Sequence, residues 1–326
     1  MTHVGRIARL LLFAAVAPWC GEALAQARAG DADAVAPSPH AAAFARLEEA
    51  VAQKVVGADD APSRYVSGRL SGFDVGAQAR DYAAALALAP KEPLYMASLA
   101  DACMRPASPQ PDQCGGRDPV AYFASRDADN AVPWLLQAER ARRRNAAGAL
   151  ADNLERAARS SRYDDYGGRA GAIWWTVLSR VAGPADRAAA ALYAMTVPSG
   201  SGTLSALEAA CAPTTRPLDA RIAPACVRLG ALMAERATSF ADRRAGAQIA
   251  QSASPSDSGR ALAQASAREV VAAQERCRDA RVALERLAAG DAAAQSRAAS
   301  AAERFLVERA RGGESAACDA LAAALR

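Results

Sequence analysis

Alanine decides most of what this chain can become. It supplies more than a quarter of the 326 residues. It is the strongest helix former, yet it adds only a methyl group to any core it lines. A chain so composed is expected to be all-α, with helices packed closely around thin cores.

Thin cores need another source of cohesion, and the cysteines can supply it outside the cytosol. Residues 1–25 read as a signal peptide cleaved after Ala25. Arg6 and Arg9 form a basic start, Leu10 through Ala17 an apolar core, and "ALAQA" places small residues at Ala23 and Ala25. The apolar core is about eight residues, well short of the ~20 that span a bilayer. Trp19 before Cys20 speaks against a lipoprotein signal. The expected destination is the periplasm or the medium, with no membrane span after cleavage. Six cysteines then remain: Cys103, Cys114, Cys211, Cys226, Cys277 and Cys318. An even number in an oxidising compartment predicts three disulfides, although six cysteines allow about fifteen pairings. Metal binding is disfavoured, because no two of them lie two to four residues apart and His40 is the only histidine left.

Charge narrows the partners. The chain carries +4, and removing residues 1–25, with Arg6 and Arg9 against Glu22, leaves +3. Lys54 and Lys91 are the only lysines, and acids are interspersed among the arginines. Such a mixed surface is not a nucleic-acid stripe.

Residues 26–40 read as a flexible leader. From Ala41 the residues Phe44, Leu47, Val51 and Val55 recur at helical spacing. "VGADDAPSRYVSGRLSG" is expected to break that helix, and a second runs from about Phe73 to Ala89. In "YAAALALAPKEPLYMASLADA", residues 82–102, Ala85 and Pro90 close one helix and Pro93 opens the next. Met96, Leu99 and Ala100 then stand at large, large and small packing positions. "RDADNAVPWLLQAERAR", residues 126–142, repeats this grammar with Trp134 large and Ala138 small. About residues 73–162 thus resemble tetratricopeptide (TPR) repeats. Ala128 stands where those repeats have Pro and Gln137 where they have Leu. Met96 and Trp134 are thirty-eight residues apart, against a repeat of about 34. The Pro-rich "CMRPASPQPDQCGG" accounts for the excess, and a Cys103–Cys114 bond would pin its base, contributing about 3 kcal/mol. The resemblance implies a short solenoid of antiparallel hairpins and a role in protein interaction.

Gly183-Pro184 marks a helix stop and start, giving helices near 168–182 and 184–196. "PSGSG", residues 198–202, is the expected boundary between a hairpin domain, 41–198, and a C-terminal helical bundle, 203–326. Cys211–Cys226 would staple a loop rich in Pro, with the second helix running through Leu229, Met233 and Arg236. "QSASPSDSGR" reads as a second flexible break. Beyond it Val270, Ala273, Cys277, Ala280, Leu284 and Leu287 form one inward stripe. Gly290 turns the chain, and Gly312-Gly313 should turn it again, lining up Cys318, Leu321 and Leu325. Cys277 then lies ~20 Å from the first turn, and Cys318 returns to nearly the same height, so Cys277–Cys318 is allowed.

Chemistry is sparse. Without a histidine base the usual Ser-His-Asp and Cys-His nucleophiles are missing. "GGRAG", residues 167–171, lacks the Lys-Ser/Thr ending of a phosphate loop, and no cofactor or metal is expected. One segment is unusual, "YDDYGGRAGAIWW". It gathers Tyr163, Asp164, Asp165, Tyr166, Arg169, Trp174 and Trp175 in a chain only 5% aromatic. Either it is a binding surface for a peptide or sugar, or its tryptophans anchor the third hairpin in the core. "ERARRR", residues 139–144, should pair with Asp152 and Glu155 as a solvated face rather than bind an anion. The functional expectation is an exported, non-enzymatic module holding a peptide or envelope protein in a groove between hairpins. The alternatives are a helical hydrolase or lyase of cell-wall or carbohydrate polymers, using Asp164, Asp165 or Glu155 as its acid, and a structural envelope factor with no groove.

Overall fold

A computed structural model describes residues 40–105, 114–197, 203–211, 220–254 and 256–326. The expected signal peptide, most of the leader, the boundary at 198–202 and the Pro-rich loop centres lie outside them. Among the described residues there are fourteen helices and no strand, so the fold is all-α. In chain order they are α1 (Ala41–Val55), α2 (Ala61–Leu70), α3 (Val75–Leu88), α4 (Pro93–Met104), α5 (Pro119–Arg126), α6 (Ala131–Arg143) and α7 (Ala147–Arg159). The second half holds α8 (Gly167–Val181), α9 (Arg187–Thr196), α10 (Thr203–Cys211), α11 (Ile222–Arg236), α12 (Phe240–Ala253), α13 (Asp257–Ala288) and α14 (Ala292–Ala324).

Most starts are capped by a side chain that accepts a hydrogen bond from the first turn. Asp60, Asp74, Asp118, Asn130, Ser239, Ser256 and Asp291 all do so. Capping explains three helices that periodicity does not predict. α2 lies inside the expected break, because Asp60 caps it and Pro62 sits in its first turn, where a missing N–H costs nothing. α5 is likewise started by Asp118 and Pro119. α12 begins at Ser239, whose hydroxyl takes the Asp242 N–H at 3.0 Å. The second break is short: Ser254 is buried and Ser256 caps α13.

From α2 to α7 each helix packs on the next, and so do α11 to α14. Met96, Leu99 and Ala100 are buried as the hairpin pattern requires. Trp134 is only half-buried, and Leu135 and Leu136 fill the core in its place. A solenoid, however, has contacts only between neighbours. Here α8 packs on α2, α9 and α14, while α7 meets α11 and α6 meets α10. The two halves expected on either side of 198–202 therefore share a core, and residues 42–326 form one compact unit.

Three disulfides join Cys103 to Cys114, Cys211 to Cys226 and Cys277 to Cys318. The last one reveals the path of α14. Run straight, that helix would carry Cys318 ~39 Å from the Gly290 turn, against ~20 Å for Cys277. Yet their Cα atoms are 5.0 Å apart. The chain turns back at Gly313, whose φ of 78° and ψ of −174° interrupt the helix. A side chain there would also meet the Thr238 carbonyl oxygen at 2.7 Å. No described helix is long and apolar enough to cross a membrane.

Candidate functional site

The segment 163–175 sits at the centre of the fold, not on its surface. Trp174 and Trp175 are 4% and 8% exposed, and Tyr163 and Tyr166 are 1% exposed. Trp174 packs against the Tyr193 ring at 5.6 Å, and Tyr166 faces Phe123 at 6.2 Å. The aromatic platform expected as one reading is absent, because α8 is the helix on which α2, α9 and α14 converge. Its glycines serve the crossing rather than a phosphate: a side chain at Gly168 would run into the Arg309 carbonyl oxygen of α14.

The polar groups of the segment form two buried clusters. The first ties residues 161–166 to the turn before α6. Asn130, fully buried, donates to Asp127 Oδ2 (2.9 Å), the Asp164 carbonyl (2.9 Å) and the Tyr166 hydroxyl (3.1 Å). Its own oxygen accepts from the Asp164 N–H at 3.0 Å. The Tyr166 hydroxyl and Arg162 both donate to Asp127, and Arg162 also reaches Asp129 and Asp164. Burial and the Asp127 carboxylate push the Tyr166 hydroxyl well above its ordinary range. Burial pushes Asp164 up, with the Asp165 charge adding to it and the Tyr166 N–H opposing it. Tyr166 holds a positive φ of 61° just before α8, a conformation costing about 1–2 kcal/mol that its hydrogen bonds offset. Arg169 lies 3.5 Å from Glu92 and over the Tyr166 ring.

The second cluster lies where the starts of α8 and α12 meet the Gly313 turn. Asp165 accepts from the Gly167 N–H and the Thr238 hydroxyl, each at 3.1 Å. Ser239 donates to Asp242 at 2.9 Å. Glu314 accepts from the Phe240 N–H at 2.8 Å and from Arg309 at 3.0 Å, and Arg309 also reaches the Met195 carbonyl at 3.2 Å. Of the cluster's carboxylates, Glu314 takes the Arg309 guanidinium. Burial, then the adjoining Asp165 charge, raises the Asp242 carboxyl well above its usual range, with Glu314 adding to the effect. The adjoining Asp165 and Glu314 charges thus work with burial against ionisation of Asp242. Asp164 is not Asp165's partner; their side chains go to different clusters. The indentation beside Asp165, lined also by Tyr65, Arg69, Ser98 and Asp101, encloses about 20 Å³, the room of roughly one water.

The sequence pattern pointed to Asp165 but not to Asp242, Arg309 or Glu314, which lie 77 to 149 positions away. Only the Ser239-to-Asp242 spacing, a capping box, was readable locally. The basic run is salt-bridged as expected, with other partners. Arg140 pairs with Asp118 at 2.6 Å, and Arg142 and Arg143 pair with Glu139 at 2.7 and 2.6 Å. Burial raises Glu139, but these two arginines outweigh it and hold its carboxyl low. Asp152 and Glu155 instead meet Arg221 at the start of α11, at 2.6 and 3.0 Å, tying the two halves together. No family model, curated protein or solved structure matches this chain.

Proposed function

We propose that this chain is an exported, non-enzymatic interaction module of the bacterial envelope, TPR-like in its α3–α7 hairpins, which engages a peptide or protein on its outward helix faces. One observation carries the reading. The side chains best suited to chemistry are hydrogen-bonded within the chain: Asp164 by the Tyr166 N–H, Asp165 by the Gly167 N–H and the Thr238 hydroxyl, Asp242 by Ser239, and the Tyr166 hydroxyl donates to Asp127. The hairpins also present charged and aromatic side chains at their surface. The three disulfides and thin alanine cores fit work in an oxidising compartment.

The test is retention of envelope proteins on the oxidised mature chain, alongside hydrolysis assays on peptidoglycan and polysaccharides. The expected result is a retained partner and no hydrolysis by wild type or by Asp164→Asn. Turnover by wild type that Asp164→Asn, Asp165→Asn or Glu155→Gln abolishes would overturn the reading in favour of an enzyme. The burial of both Trp174 and Trp175 favours a second reading, a structural envelope factor. That one predicts that no partner is retained.

A further inference from the structure

Most arginines around the α5–α7 hairpins are neutralised. Arg140 lies on Asp118, Arg142 and Arg143 on Glu139, and Arg162 on Asp127, Asp129 and Asp164. Three arginines there are held differently. The guanidinium carbons of Arg117 and Arg126 lie 4.5 and 5.3 Å from the centre of the Tyr122 ring, so the two cations flank one tyrosine. Arg156 lies 5.1 Å from the centre of the Trp134 ring. The two stacks adjoin: the Trp134 indole N–H donates at 2.8 Å to the carbonyl of Ala128, two residues beyond Arg126. Arg117, Arg126 and Arg156 are exposed. None of the three is in an ion pair among the described residues, whereas Arg140, Arg142, Arg143 and Arg162 are.

Two physical consequences follow. A guanidinium resting on an aromatic face keeps its plane fixed while its outer N–H groups stay free. Less side-chain freedom is then lost when that fork takes a carboxylate. Three such forks leave local positive charge uncompensated beside two aromatic bodies, which an acidic segment complements. A nucleic acid would need a continuous basic track, and exposed Asp129 interrupts this one. We infer that the surface made by Arg117, Tyr122, Arg126, Trp134 and Arg156 docks an acidic peptide segment of a partner protein, one carboxylate to each guanidinium. This rests on the interaction reading above and names its partner chemistry.

Fluorescence anisotropy of a labelled twelve-residue Asp/Glu-rich peptide with the oxidised mature chain tests it. The expected result is binding that weakens with added NaCl. It should fall at least about tenfold in Arg117→Ala/Arg126→Ala/Arg156→Ala, and by an intermediate factor in the matching Lys variant, which keeps charge but loses the planar fork. Unchanged far-UV circular dichroism shows that both variants fold. Unchanged affinity in the Ala variant, no binding by wild type, or stronger binding to phosphatidylglycerol vesicles than to the peptide would each overturn the inference. An envelope partner retained equally by wild type and the Ala variant sinks this surface and leaves the interaction reading standing. Retention by neither sinks the interaction reading itself.

Discussion

Removal of the disulfides one at a time should rank them by the loop each closes. The bonds close sequence separations of 11, 15 and 41 residues. Chain entropy then assigns about 2.8 kcal/mol to Cys103–Cys114, about 3.0 to Cys211–Cys226 and about 3.9 to Cys277–Cys318. The last pair has a further effect. Cys277 and Cys318 are buried, and their bond holds the segment after Gly313 against α13. Without it, Ala317 and Leu321 lose the constraint that keeps them packed. Paired Cys→Ala variants, unfolded in urea and followed by circular dichroism, should place Cys277→Ala/Cys318→Ala lowest, by about 1 kcal/mol or more beyond either other pair. Near-equal losses, or the largest loss at Cys103/Cys114, would refute the reasoning from loop length and from the reversal at Gly313.

Three further outcomes follow from the two polar clusters. The raised Asp242 carboxyl stabilises the fold fully below the ordinary carboxylate value of 3.8, and that contribution is lost as pH rises through its higher folded value. The slope is at most about 1.4 kcal/mol per pH unit. Asp242→Asn should flatten the fall in melting temperature between acid and mildly alkaline pH, and parallel curves for the two proteins would contradict a raised Asp242 carboxyl. Asn130→Ala strands the Asp164 N–H and carbonyl in a buried site, and should cost about 2–4 kcal/mol in urea unfolding. Asp129→Ala, whose carboxylate is 65% exposed, should stay within about 0.5 kcal/mol.

Much of the architecture was legible because length and spacing carry it. The stripe from Val270 to Leu287 identified the inner face of α13, and counting rise per residue around two glycine turns brought Cys277 to Cys318. The hairpin pattern placed Met96, Leu99 and Ala100 correctly. Short helices were harder: α2 and α5 are read as loops unless Asp60 and Asp118 are weighed as caps, since each is too short for a hydrophobic period to show and each opens next to a Pro. The site was less legible still. Both readings of Trp174 and Trp175 fit the local residues, and only the arrival of α14, more than a hundred residues later, decides between them. Asp165 and Asp242 meet through tertiary packing that no local pattern encodes. Arg221 drew Asp152 and Glu155 away from the nearer basic run for the same reason.

The dependence of α8 on α14 has a consequence for how the protein is made. Its central helix emerges more than a hundred residues ahead of α14, which covers it through Leu306 and the Arg309 backbone. A piece that lacks α14 therefore leaves α8 uncovered on that side. A product that stops before Ala292 should be open and protease-sensitive around α8.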